Sequence, residues 1–282
     1  MEKDVNQKEL QEKQAVFEKL RGSDELFAIL SACTREPYVH CDPETFDDEI
    51  WMFTDVKEAQ EVAKRLVADK NPAGVARVEK AGLLLFYTSL FTMGVNAITL
   101  HEGGKKTRIQ LSEFVKRKTQ EAEDKGKIWV ENPELHLTML YYMQEFRKQP
   151  NPEITPRLAE LQEEIGADFG KGRYIVAIPQ EKQGIPLIKL KNGDVFQPVF
   201  TDVVEFQKFN REKNFRPAVV EAGKLAQVLP AEALGIILNP LGVNMALTVK
   251  KTAPASQPSA QPATVVQQVE AAMREVEAAK DE

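Results

Sequence analysis

One short segment of this chain occurs twice. Trp51-Met52-Phe53-Thr54-Asp55-Val56 returns as Pro198-Val199-Phe200-Thr201-Asp202-Val203, 147 positions later. Farther along, Gly94-Val95-Asn96-Ala97 returns as Gly242-Val243-Asn244-Met245 at an offset of 148, and Val78-Glu79 faces Val220-Glu221 at an offset of 142. Upstream, Leu26-Phe27-Ala28-Ile29 matches Ile175-Val176-Ala177-Ile178 at an offset of 149. A recurrence that holds its register across a deletion and a compensating insertion requires two copies of one module, each with the same order of elements.

The anchors have local physical meaning. Asp55 and Glu58, like Asp202 and Glu205, are spaced as capping boxes: Asp accepts from the N–H three residues on, and Glu reaches back to the cap's own N–H. Gly94 and Asn96, like Gly242 and Asn244, supply turn residues between apolar runs. Asn239-Pro240 strengthens the second turn, because Pro presets one angle and biases its predecessor away from helix.

In the second copy, residues 174–179, 186–190 and 195–200 read as strands, the last two joined by a turn at Lys191-Asn192-Gly193-Asp194. A capped helix over 203–210, a strand over 217–220, a helix over 224–228 and strands over 235–238 and 245–249 follow. The order is β-β-β-α-β-α-β-β. The first copy repeats it with a longer central helix over 56–69, whose Val56, Ala59, Val62, Ala63 and Leu66 form one apolar stripe. Hairpin-linked strands with interspersed helices predict an α+β fold bordering on α/β, each module a mixed, mostly antiparallel sheet covered by helices.

Helices are expected before each sheet, over 8–20 and over 133–147 and 155–165, and a connecting helix over 111–124. The expected organisation is a first module over 1–125, a second over 126–250, a Pro/Ser/Ala linker over 251–263, and an amphipathic helix over 264–282. That last segment carries Val265, Val269, Ala272, Met273 and Val276 at helical spacing.

The formal charge of −6 argues against nucleic acid as a partner, because competing for phosphate backbones takes a basic excess. The most apolar window, 81–100, is broken by Gly82, Gly94 and Asn96 and suits buried strands better than a bilayer span. The charged first 24 residues have no signal-peptide pattern, and the two cysteines are expected as reduced thiols, so a cytoplasmic compartment without membrane attachment is expected.

With Phe196-Gln-Pro-Val-Phe-Thr-Asp202 and Gly235-Ile-Ile-Leu-Asn-Pro-Leu-Gly242 in view, the second copy resembles the SseB family, the enhanced-serine-sensitivity proteins. The resemblance covers about residues 131–250, and the first copy looks like a diverged version over 8–103 with Trp51 for Pro198 and no Asn-Pro. It implies a tandem of two SseB-type domains and an association with serine or sulfur metabolism. It supplies no catalytic residues.

No phosphate-cradling loop, nucleophile elbow, HExxH or CxxC signature occurs in the sequence. The one dense reactive group is Cys33, His40 and Cys41, where a His-activated thiolate could act as nucleophile; the alternative is two structural thiols. His101 and His136 read as structural, and Tyr141, Tyr142, Met143 and Phe146 as core. No cofactor and no metal site is expected. The leading functional reading is a non-enzymatic binding or regulatory module with a protein partner, a homo-oligomer, or a small ligand between the lobes. An enzyme or accessory of sulfur or amino-acid metabolism, and an assembly protein using its C-terminal helix, are the alternatives.

Overall fold

A computed structural model describes residues 2–117, 129–180 and 184–249. The contacts divide the chain into two compact units, Met1–Lys125 and Gly126–Glu282. The expected linker over 251–263, the helix over 264–282 and the second half of the connecting helix lie outside the described residues.

The first unit runs α1 (Glu2–Gly22), β1 (Glu25–Ser31), β2 (Val39–Cys41), β3 (Asp48–Phe53), α2 (Val56–Ala68), β4 (Ala73–Glu79), α3 (Lys80–Thr92), β5 (Ala97–Glu102), β6 (Lys105–Gln110) and the short α4 (Leu111–Phe114). The second runs α5 (Pro133–Phe146), α6 (Pro156–Lys171), β7 (Arg173–Pro179), β8 (Ile188–Lys189), β9 (Val195–Phe200), α7 (Val203–Phe209), β10 (Phe215–Glu221), a 3-10 turn into α8 (Leu225–Val228), β11 (Gly235–Leu238) and β12 (Met245–Thr248). Both sheets have one topology. The orders are β4-β1-β3-β5-β6 and β10-β7-β9-β11-β12, with β2 on β3 and β8 on β9, and the single parallel pairing in each is the central β3·β5 or β9·β11. The fold is α+β, with two sheet modules of the same order.

Alternation along the strands sorts side chains onto two faces. In the first unit, Phe27, Ile29 and Phe53 share a face, and α2 lays Ala59, Ala63 and Leu66 on them. In the second unit, Ile175, Ala177 and Phe200 hold the same place beneath Phe206 of α7. The opposite face of the first sheet, with Leu26, Ala28, Ile50, Met52, Ile98 and Leu100, is also buried. There Tyr87 of α3 donates to the Leu20 carbonyl of α1 at 2.8 Å.

Five expectations need correction. Pairing registers place Phe27, opposite Phe53, in the position of Ile175, opposite Phe200, so the β1/β7 offset is 148 and not 149. A slip of one would have turned every side chain to the wrong face.

The Gly-Val-Asn matches are not equivalent. Asn96 enters β5, its N–H on Asp48 O and its carbonyl taking Leu111 N; Leu234 makes the matching bonds, to Val195 O and from Val249 N. Asn244 instead closes the β11–β12 turn, at φ 51°. The second unit is shorter twice, at α7 against α2 and at α8 against α3, with no compensating insertion before β11.

The apolar window over 81–100 is helical as far as Thr92, with strand only from Ala97. A run apolar on all sides suits a packed helix as well as a buried strand. Finally, α4 ends at Phe114, and Val115 is already extended, so a helix does not continue through 117.

Candidate functional site

The helix α2 covers β4, β1 and the end of β3 but not β5 and β6 on the same face. It starts where it does because Asp55 Oδ1 accepts from Lys57 N at 2.7 Å and Glu58 N at 3.0 Å. The capping box is only half made: Glu58 does not reach back to the cap, and its carboxylate instead takes Gly104 N at 3.3 Å. Gly103 and Gly104, at φ 57° and 82°, make the β5–β6 turn; two left-handed residues suit a tight hairpin, and the turn stands against α2.

The result is a cleft of about 800 Å³ lined by Glu58, Glu61 and Arg65 of α2, by the glycine turn, and by Trp51 and His101 of the sheet. A second hollow of about 240 Å³ is lined by His40, Glu49, Thr99 and Arg108, and shares Trp51, His101 and Lys106 with the first.

Strand register assembles this floor. The pairs His40↔Glu49, Glu49↔Ala97, Trp51↔Thr99, Phe53↔His101, Thr99↔Arg108 and His101↔Lys106 put all these side chains on one face. Glu49 is 4% exposed, and its carboxylate accepts from Trp51 Nε1 at 2.8 Å, Thr99 Oγ1 at 2.6 Å and Arg108 Nε at 2.9 Å. Arg108 also binds Asp42. Three donors, one of them a guanidinium, give this buried carboxylate its hydrogen-bond partners. The indole of Trp51 is thereby fixed edge-on to Glu49, with His40 5.1 Å and Tyr38 5.9 Å from its centre.

His101 is 4% exposed and packs its ring 4.4 Å from Phe53 and 6.2 Å from Trp51. Its Nε2 is buried without a hydrogen-bond partner. Burial first and the nearby Lys106 second, opposed by Glu49, pull its pKa down to about 4, so the ring is neutral at pH 7.

The second unit answers each position differently. In register, His40, Glu49, Thr99 and Arg108 become Ile188, Phe196, Ile237 and Ala246, one apolar cluster. Trp51 becomes Pro198, and His101 becomes Asn239. Asn239 is fully satisfied: Oδ1 accepts from Thr201 N at 3.0 Å, and Nδ2 donates to Thr201 Oγ1 at 2.8 Å. Asp202, wholly buried, caps α7 through Val204 N and Glu205 N, accepts from Thr201 Oγ1 at 2.8 Å, and lies 3.7 Å from His136 Nδ1. Burial would raise its pKa, but the neighbouring His136, then Glu205 N–H and Thr201, outweigh that and hold it below the ordinary range. Glu205 again does not reach back; its Oε1 takes Lys208 at 2.5 Å.

Around the β11–β12 turn, Gly242 N and Asn244 N both donate to Asn239 O, Pro240 sits within the turn, and Arg147 donates to the carbonyls of Val243 and Asn244 at 2.8 Å each. Asn132, at the start of α5, spends its side chain on Arg173 O and Thr201 O instead of on its helix. Thr201, Asp202, Asn239 and His136 are all buried.

Of the reactive residues singled out in the sequence, only His40 comes to this face, where it lines the smaller hollow. Cys33 is buried in the turn after β1, and Cys41, exposed, follows His40 on β2, so alternation sends their side chains to opposite faces. Sequence reasoning missed Glu49, Thr99, Lys106 and Arg108 and read His101 as structural. Their signal is the alternation of Thr99 with His101 on β5 and of Lys106, Arg108 and Gln110 on β6; Glu49 stands alone as a charged residue on its face of β3.

No family model matches the chain, and no curated protein matches it. Among solved structures the chain is similar to Tic22 from Plasmodium falciparum, at 16% identity over 79% of this chain and 90% of that one, with a TM-score of 0.21. It is likewise similar to Anabaena Tic22, described as a protein of protein transport, at 12% identity over 79% of this chain and 91% of that one, with a TM-score of 0.21. Among the described residues no helix is long and apolar enough to cross a membrane.

Proposed function

We propose that this chain is a non-enzymatic binding protein and that its ligand site is the cleft of the first unit, over Trp51 and His101. The observation that carries the reading is the buried Nε2 of His101. A polar atom left without a partner in a folded core costs on the order of 1–3 kcal/mol. The second unit avoids that cost at the same register position with Asn239, which is bonded at both ends. A site that keeps an unmatched imidazole beside an open cleft is built to receive a hydrogen-bonding group.

Trp51, locked by Glu49, offers a rigid flat surface, and a neutral His101 offers a single donor or acceptor. Together they fit a small polar molecule with a planar portion. A ring depressed to about 4 is a poor base at neutral pH, and His40 diverges from Cys41, which favours binding over acid–base or thiol chemistry. The reading does not depend on the resemblance to the SseB family, whose anchors lie in the second unit.

The test is native purification of the full chain from its own cells, followed by extraction and mass spectrometry of bound small molecules, beside a Trp51→Ala variant treated identically. A compound retained by the parent and lost from a variant of unchanged circular dichroism supports the site. Equal recovery from both, or none from either, removes it.

A further inference from the structure

We propose that the chain pairs with a second copy of itself by joining the β4 edges of two first-unit sheets. Among the described residues β4 ends its sheet, and the hydrogen bonds at its two ends fix which of its backbone groups face outward. Lys80 N donates to Asp24 O and Ala32 N donates to Pro72 O, both in the β1·β4 register. In an antiparallel ladder, inward and outward positions alternate. Gly74, Ala76 and Val78 therefore bond inward to β1, and Ala73, Val75, Arg77 and Glu79 direct their N–H and C=O groups to the open edge.

The second unit has the same edge and closes it. Ala222 N on Gly172 O and Gln180 N on Asn214 O set the same alternation, so Phe215, Pro217, Val219 and Glu221 face out from β10. Phe215 is clamped by one side chain: its N–H donates to Asn210 Oδ1 at 3.0 Å, and Asn210 Nδ2 donates to its carbonyl at 2.7 Å. Pro217 has no N–H to offer. These are standard ways of blunting an edge. In register, β4 has Ala73 where β10 has the clamped Phe215, and Val75 where it has Pro217.

The occupant that fits is β4 itself. Antiparallel pairing about Ala76 sets Ala73 opposite Glu79 and Val75 opposite Arg77, and it is the register in which all four outward residues meet outward residues. No like charges stand directly opposite. Arg77 is already neutralised within its own chain by Glu25 and Glu79. On the other face Ala76 meets Ala76 and Gly74 meets Val78, and the space where a Gly74 Cβ would stand is open. The opposite edge of the sheet, β6, carries Lys105, Lys106 and Arg108 and repels its own copy.

The experiment is sedimentation equilibrium of the full chain across a concentration series, beside Val75→Pro and, as control, Val219→Pro. Val75 N–H makes no bond within the sheet, so the proline copies the blocked edge at no cost to the ladder. The parent and Val219→Pro are expected to reach twice the 31.7 kDa chain mass, and folded Val75→Pro to stay at that mass. A parent that remains at the single-chain mass, or a Val75→Pro variant that doubles it, overturns the proposal. Should the proline unfold the chain, hydrogen exchange on the parent decides: amides of Ala73, Val75 and Arg77 that slow as concentration rises support the pairing, and amides indifferent to concentration reject it.

Discussion

The two sheets share strand order and register, yet they fill the same four positions with opposite chemistry. Glu49, Thr99 and Arg108 form a hydrogen-bonded charged group with His40 lining the same hollow, and Ile188, Phe196, Ile237 and Ala246 form a packed apolar cluster. The difference teaches that backbone pairing sets where side chains meet and leaves open whether they meet as a core or as a site. Where the ladder is satisfied by the main chain alone, the face above it is free to diverge.

The comparison should break first on packing. Phe196→Ala is expected to cost about 3–5 kcal/mol, because a fully buried ring leaves a cavity. Glu49→Ala, at the same register position, should cost less, about 1–3 kcal/mol: its donors lose a partner, but Arg108 keeps Asp42. Scanning calorimetry of the full chain measures both, and equal losses would contradict the contrast drawn between the two faces.

A second difference is in pH. His101 holds its folded pKa near 4, below its ordinary 6.5, so between those values the unfolded chain binds a proton that the folded chain refuses. Stability is present above 6.5 and drains as pH falls toward 4, by about 3 kcal/mol in all. His101→Asn, which installs the residue found in the second unit, should flatten melting temperature over that interval. An undiminished slope in the variant would place the titration elsewhere.

The smallest contrast is between the two caps. Asp55 is an exposed cap and its replacement by Ala should cost about 1 kcal/mol. Asp202 adds Thr201 and His136 to the same two amide bonds and is buried, so Asp202→Ala should cost about 2 kcal/mol or more. Its carboxylate stabilises the fold above its ordinary pKa, a contribution lost as pH falls through the depressed one. Denaturant midpoints giving equal losses would deny the buried network any weight.

What the sequence made legible was local. The Asp55 and Asp202 caps and the Ala59, Ala63 and Leu66 part of the α2 stripe rest on spacings of two to four residues and stand in the structure, whereas Val56 of that stripe is exposed and neither Glu58 nor Glu205 closes its capping box. The misreadings came where the evidence was short or the partner distant. Asn96 and Asn244 share three letters with their neighbours but serve a helix exit and a hairpin, because glycine and asparagine suit many turns. The cleft was illegible for a different reason. Glu49, Thr99 and Arg108 sit on three strands, and each alone looks like the solvent side of an alternating pattern. Only the parallel β3·β5 pairing, closed across a helix–strand–helix crossover, brings them onto one carboxylate.

The Glu49 cluster also constrains how such a chain can change over generations. Replacing Arg108 alone takes the counter-charge from a buried carboxylate, and replacing Glu49 alone takes the acceptor from the indole and hydroxyl that point at it. Each single step toward the Phe196 arrangement is therefore worse than either end, and the positions are strongly epistatic. A lineage crosses between the two states only by several substitutions arriving together or while a spare copy carries the function, so the polar face of the first unit should persist as a block or vanish as a block.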